Sequence, residues 1–277
     1  MENMDDSILV DIGGTNIRIG LLGKEIQSPC VIIKTPIQKE ELLSVLEDKI
    51  SEIAKMKRLK NSIVAISCPG LINSKGIVKK SLYVPLTGVN LAQEIETKTS
   101  IKTIVLNDAK VQALGRYNSK NLLYMNIGTA IGGAYVFKNQ LFLGADGYAC
   151  EFGHIFIGND LKCVCGRRGC LDTIASGKSF ISEFGEGWWK KAEDIKIKQK
   201  IEAAGYSVGK ALAQASILFN PKEICVTGNI CSFAIFQNCV KKQFDKDSWY
   251  EIPILFSNNS WENVYLGLKK IIKECMI

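Results

Sequence analysis

The 277-residue chain has one histidine, six prolines and no run of about 18 apolar residues. Without such a run no membrane span is expected. With so little proline and no low-complexity segment, a Pro-rich linker is excluded. The opening MENMDDSILVDIGG is acidic and enters structure at once, so a secretory leader is not expected. A stripe of basic residues is also missing. The 35 Lys+Arg against 28 Asp+Glu give +7, but the excess is spread over pairs such as Lys79-Lys80, Lys190-Lys191, Lys241-Lys242 and Lys269-Lys270, without interleaved aromatics. Such pairs read as solvated faces, or as the rim of a groove for an anionic substrate, and no nucleic-acid partner is expected. Nor is there a P-loop: Gly177-Lys178-Ser179 ends like one, but Asp172 stands where its first glycine belongs.

What is present is a globular composition, 47% hydrophobic and 23% charged, which excludes disorder and collagen-like repeats. The length suits one large domain or two modest ones. Of ten cysteines, Cys30, Cys68, Cys150, Cys225, Cys231, Cys239 and Cys275 are scattered through apolar or helical context, as reduced core thiols are. Cys163, Cys165 and Cys170 are clustered. A cytoplasmic, reducing location is expected, where clustered cysteine favours metal over disulfide.

Residues 7–22 read as two strands around a Gly-Gly-Thr turn, 41–57 as a helix, and 62–72 as a strand stopped by Pro69-Gly70. Residues 103–117 read as a strand passing into a helix at Asn107-Asp108, and 122–137 as a second strand–turn–strand. A helix over about 200–219, strands at 223–230 and 251–257, and a helix from about 261 follow. Strands alternating with helices place the chain in the α/β class. Asp11-Ile-Gly-Gly-Thr-Asn-Ile and Asn126-Ile-Gly-Thr-Ala-Ile-Gly each end one strand and lead into another, the pattern of a duplicated half-domain. Residues 184–200 mix glycine, tryptophan and charge, and are expected to be the softest region.

Turns of this kind let backbone N–H groups approach a phosphate, with Thr15 adding a hydroxyl and Asp11 placed to hold a hydrated magnesium ion. Gly128-Thr129 would serve a second set of phosphate oxygens. Asn107-Asp108, where strand meets helix, fits a helix N-cap; it also fits a carboxylate that accepts a hydroxyl proton during phosphoryl transfer. The sharpest signal joins Glu151-Phe-Gly-His154 to Cys163-Val-Cys165-Gly-Arg-Arg-Gly-Cys170. Three thiolates and the chain's sole imidazole make a closed tetrahedral Cys3His set, suited to structural zinc.

These segments, in this order, resemble the ROK family of repressors and sugar kinases, a branch of the actin/hexokinase ATPases. DIGGTNIRIGLL (11–22) is similar to the family's first phosphate loop, and NDAKVQALG (107–115) to its catalytic segment. The stretch from NIGTAIGG to CEFGHI (126–155) resembles the second phosphate loop and sugar-binding region. CVCGRRGCLDTIASG (163–177) is similar to the zinc motif, and LFNPKEICVTGNI (218–230) to the adenosine segment.

The resemblance implies an actin-like (ribonuclease H-like) ATPase fold of two α/β domains with an interdomain cleft and a zinc-binding loop. The smaller domain would take residues 1–107 and the helix 261–277; the larger would take 108–260 and the zinc. It further implies a homodimer that transfers phosphate from ATP, with Mg2+, to a hexose hydroxyl at C6, and whose domains close to expel water. Asp108 would be the general base; Asn107, Asp108, Glu151, His154 and Asp172 would bind the sugar. Gly13, Gly14, Thr15, Gly128 and Thr129 would hold phosphates with Asp11 on the magnesium side, and Gly228 and Asn229 would line the adenine pocket. His154, Cys163, Cys165 and Cys170 would hold zinc.

The family also contains helix-turn-helix repressors, but the first phosphate strand begins by about residue 8 and no such module is expected. A non-catalytic sugar sensor stays open. Three departures bear on the substrate. Asp172 follows Cys170-Leu171 where the family usually has glutamate. Residues 82–90 carry Pro85-Leu86-Thr87, similar to the allose kinase branch rather than to glucokinases. Ala130, Ala134 and Asn229 stand where the family usually has glycine. Allose and glucose are therefore the expected substrates, with N-acetylhexosamines such as N-acetylmannosamine, or a glucoside, as alternatives.

Overall fold

The β-branched run Ile8–Ile12 (β1) is buried along its whole length and turns through Gly13–Thr15 into Asn16–Leu21 (β2), an antiparallel hairpin. The computed structural model to which these strands belong describes residues 7–23, 25, 28–59, 62–116, 121–258 and 260–275, without the side chains of the last two. Val31–Lys34 (β3) adds an antiparallel edge to β2. Lys39–Lys57 (α1) buries Leu42, Leu46, Ile50 and Ile53, one stripe at helical spacing, and ends on Arg58 in the left-handed region. Ile63–Cys68 (β4) runs parallel to β1. After the short pair Leu71–Ile72 (β5) and Val78–Lys80 (β6) come Leu91–Thr99 (α2), capped by Asn90, and Lys102–Asn107 (β7), parallel to β4. Asp108–Arg116 (α3) follows β7 without a loop.

Asn121–Ile127 (β8) and Ile131–Phe137 (β9) form the second hairpin, and Gln140–Leu141 (β10) its antiparallel edge. Asp172–Ala175 (α4), Gly177–Phe184 (α5) and Ile195–Phe219 (α6) lead to Glu223–Thr227 (β11), which lies parallel to β8. Ala234–Asp247 (α7) packs on α6, Ile254–Ser257 (β12) lies parallel to β11, and Trp261–Cys275 (α8) comes last.

The two sheets have one plan. Their orders are β3-β2-β1-β4-β7 and β10-β9-β8-β11-β12, each an antiparallel trio followed by two parallel strands. In each turn the first glycine also donates to a backbone carbonyl: Gly13 N to Asn16 O at 2.9 Å, and Gly128 N to Ala130 O at 3.0 Å. The echo between the two glycine turns is thus an echo of whole sheets.

The chain divides into two compact units. One takes residues up to Arg116, Leu143–Ala149 and everything from Ser260; the other takes the rest. The division falls after Arg116 rather than after residue 107, because α3 packs on α8. A Cβ on Gly115 would overlap the backbone of Asn263, and one on Gly267 would overlap Val111 O, so a glycine from each helix permits the close crossing. Tyr265, Leu268 and Ile272 of α8 are fully buried.

Several boundaries differ from the sequence reading. α6 begins at Ile195 because Asp194 caps it, accepting from Lys196 N at 2.8 Å, so much of 184–200 is helical. The strand from 223 stops at Thr227, where Gly228 turns the chain, and only Ile254–Ser257 of 251–257 is strand. Cys30 is exposed rather than core, whereas Cys68, Cys150, Cys225, Cys231 and Cys239 are buried. Tyr117, residues 276–277 and the Cys275 side chain, all expected in helices or core, lie outside the described residues. Among the described residues no helix is long and apolar enough to cross a membrane.

Candidate active site

In the first unit the β7–α3 junction places Asn107 and Asp108. Asn107 caps α3, its Oδ1 accepting from Lys110 N at 3.2 Å, while its Nδ2 donates to Gly70 O at 3.0 Å and to Asp108 Oδ1 at 3.1 Å. Asp108 Oδ1 also accepts from Ala109 N at 2.9 Å; among the described residues Oδ2 accepts no hydrogen bond. Burial pushes the Asp108 carboxyl up to about 6; the Ala109 amide opposes this and the charge of Asp11 adds to it. The capping is therefore carried mainly by the asparagine, and a raised carboxylate is left with one open oxygen. A cavity of about 650 Å³ opens beside Asn107, lined also by Asn73, Asn90, Gln93, Glu96 and Lys110. Lys110, 2% exposed, was not singled out by sequence.

Asp11, at the end of β1, is buried. Its Oδ1 accepts from Ser67 Oγ at 2.9 Å, and its Oδ2 from Arg18 Nη1 at 3.1 Å across the hairpin. Burial raises its pKa in spite of the Ser67 hydroxyl and the Arg18 charge. The Gly13–Thr15 turn is held from β3's end, where Thr35 Oγ1 donates to Gly13 O at 2.6 Å and Thr35 N to Thr15 O at 2.9 Å. Gly14 and Thr15 are exposed, and a Cβ on Gly14 would make only ordinary contact with Tyr83 at 3.5 Å. In the 82–90 loop Leu86 is fully buried, and Thr87 Oγ1 bonds the Ser81 backbone at 3.0 Å, so both shape the loop itself.

In the second unit one cavity of about 310 Å³ gathers Gly128, Thr129, Gly228 and Asn229 with Trp188 and Trp189. Gly228 has φ +127°, and a Cβ there would overlap Ile127 O, so no other residue allows this meeting of the two segments. Trp188 stacks on Phe180, with centroids 4.3 Å apart and 26° between planes, while Trp189 is 48% exposed. The amino end of α5 abuts the Gly128 turn, but its amides are spent there: Gly177 N donates to Gly128 O at 2.8 Å and Lys178 N to Thr129 O at 3.0 Å. In the sequence Gly177-Lys178-Ser179 reads only as the tail of a P-loop that lacks its first glycine.

Glu151 precedes the single turn of 3-10 helix Phe152–His154. The donor atoms of His154, Cys163, Cys165 and Cys170 lie within 4.8 Å of one another. Cys163 Sγ is 3.7 Å from His154 Nδ1, and Cys165 Sγ is 3.7 Å from Cys170 Sγ. Zinc–sulfur bonds of about 2.3 Å in a tetrahedron give a sulfur–sulfur edge of about 3.8 Å, so the cradle has the right size for zinc. Burial pushes the Cys170 thiol up to about 12. At Cys165 burial acts the same way, but hydrogen bonds from Arg167 and the neighbouring thiols bring it down to about 7. Asp172, two residues beyond Cys170, is 7% exposed, and its Oδ1 accepts from Ile131 N at 2.8 Å. Burial raises its pKa against that amide and the charge of Lys178.

Comparison with known proteins gives the family. The ROK family's sequence profile matches residues 7–252. The chain is 27% identical over 265 residues to a glucokinase of Halalkalibacterium halodurans, covering 80% of this chain and 79% of that one. It is 28% identical over 262 residues to a xylose repressor of Caldicellulosiruptor bescii, covering 81% of this chain and 65% of the repressor. Against glucokinases of Streptomyces coelicolor and Thermotoga maritima the chain spans 57% and 63% of their lengths. The structure of a ROK family glucokinase from Streptomyces griseus, in complex with glucose and AMPPNP, superposes with a TM-score of 0.81 at 20% identity, covering 97% of this chain and 99% of that one. With the profile running through both hairpins, the β7–α3 junction and the cysteine cluster, and the fold shared from end to end, the chain belongs to the ROK family.

Proposed function

We propose that this protein transfers the γ-phosphoryl group of ATP to a hexose hydroxyl, at C6, with Asp108 as general base. The observation that carries the reading is the Asp108 carboxylate. Its one open oxygen and its pKa of about 6 suit a group that takes a hydroxyl proton as that oxygen attacks phosphorus. The glucokinases among the relatives support the same reaction class.

Each unit supplies its own part. From the first, Asn107 and Asp108 hydrogen-bond the sugar, and the Gly13–Thr15 turn offers backbone N–H groups and the Thr15 hydroxyl to phosphate oxygens. Asp11 would stand on the magnesium side of the nucleotide; it is a buried carboxylate already tied to Ser67 and Arg18, which keeps it still. From the second, Glu151 and His154 hold further sugar hydroxyls, Gly128-Thr129 holds phosphate, and Gly228 and Asn229 admit the adenine with Trp189 beside it. His154, Cys163, Cys165 and Cys170 would hold zinc, which would add folding strength and fix the imidazole proposed to meet the sugar.

Allose or glucose is the substrate this reading favours, and a homodimer its working form. The test is a coupled ADP-release assay with Mg·ATP across glucose, mannose, allose, N-acetylmannosamine, N-acetylglucosamine, fructose and a β-glucoside. Turnover with a clear preference is expected. The likeness to xylose repressors supports a second reading, a sugar sensor without turnover. A folded, zinc-loaded protein that binds a sugar yet releases no ADP would establish that reading instead.

A further inference from the structure

The two glycine turns occupy equivalent places in equivalent sheets, yet they are held differently. The Gly13–Thr15 turn is clasped by Thr35, next to its own sheet's edge strand. Among the described residues the Gly128 turn is held instead from the segment that follows the cysteine cluster. Gly177 N and Lys178 N donate to its carbonyls, and Asp172 Oδ1 accepts from Ile131 N, at the first residue of β9, at 2.8 Å. A carboxylate buried to 7% exposure is costly to desolvate, and a charge-assisted bond to a backbone amide is what offsets that cost here.

We infer that Asp172 is a positioning residue for the second phosphate turn, acting on the phosphoryl donor through Ile131, rather than a ligand of the sugar ring. The inference rests on the kinase reading above. It explains the shortened acid: the aspartate side chain ends at the Ile131 amide, and one more methylene would carry the carboxylate past it. It also makes the metal knuckle and the phosphate turn mechanically continuous, since only Leu171 separates Cys170 from Asp172.

The test measures binding of Mg·AMPPNP, and separately of glucose and allose, by calorimetry on wild type, Asp172→Ala, Asp172→Asn and Asp172→Glu. Asp172→Ala should weaken AMPPNP about tenfold or more and leave sugar affinity within about twofold, since it removes one charge-assisted bond. Asp172→Asn keeps an oxygen for Ile131 N and should lose about threefold or less. Asp172→Glu should weaken AMPPNP several-fold. Amide exchange over residues 126–133 should quicken in the Ala and Glu variants and not in the Asn variant.

If Asp172→Ala fails to fold, the Asn and Glu pair decides. Unchanged AMPPNP binding and exchange in the Glu variant, with altered sugar affinity, overturns the inference and returns Asp172 to the sugar. A wild-type protein that binds no AMPPNP overturns the kinase reading and this one with it.

Discussion

Asn107 donates its Nδ2 to Asp108 Oδ1 at 3.1 Å, and so two adjacent residues divide the labour at the start of α3: one satisfies the helix, the other keeps an oxygen open. Asp108→Asn should therefore leave helix and fold intact and lower kcat by about 10³, with sugar affinity nearly unchanged. Steady-state kinetics and sugar calorimetry on the same preparation check this.

The raised pKa sets two pH dependences. Only the ionised base accepts a proton, so kcat/KM should climb about tenfold per pH unit below pH 6 and level off above it. Stability runs the other way. A carboxyl that is easier to protonate folded than unfolded favours the fold fully below about pH 4 and loses that contribution as pH rises through about 6. Asp108→Asn should thus melt above wild type at pH 8, the gap closing toward pH 4. A gap that does not change with pH would count against the buried ionised base.

Gly228 and Gly14 give a graded pair. Gly228→Ala places a methyl in the left-handed region against Ile127 O and should cost about 3 kcal/mol, together with nucleotide binding. Gly14→Ala meets only Tyr83 at van der Waals distance and should melt within about 2 °C of wild type, so a higher KM for ATP would report the phosphate turn alone. Melting curves and ATP titrations separate the two.

Elemental analysis should find one zinc per chain, removed by Cys170→Ser. Loss of a ligand bound at about 1,000 times its Kd costs about 4 kcal/mol, a fall of about 10 °C in Tm for a chain of this size. Sugar affinity should fall with it, because His154 loses its anchor; unchanged affinity in zinc-free protein would remove His154 from the sugar.

Gly115→Ala or Gly267→Ala should each destabilise the first unit by about 2–4 kcal/mol, because the added methyl meets backbone in the facing helix and the two helices must separate. Chemical denaturation measures it.

The features legible in sequence are those whose partners are close in the chain. The Gly-Gly-Thr turn joins strands that are neighbours, and Cys163, Cys165 and Cys170 lie nine, eleven and sixteen residues from His154. The stripe of Leu42, Leu46, Ile50 and Ile53 announces α1 by itself. What stayed hidden depends on long-range approach. Asp172 meets Ile131 from forty-one residues away, Trp188 lies over Phe180 beside a turn at 128, and Gly115 needs the backbone of Asn263 to explain it. α7 carries a stripe of the same spacing, Phe236, Cys239, Val240 and Phe244, and packs against α6.

The crossing of α3 and α8 has a consequence for biosynthesis. The sheet whose strands leave the ribosome first lacks its covering helix until Trp261–Cys275 has been made, whereas every strand and helix of the other unit is translated before that helix. The earliest-made half is therefore the last that can be completed, and until then its α3 face, with Val111 and Leu114, is without the helix that buries it.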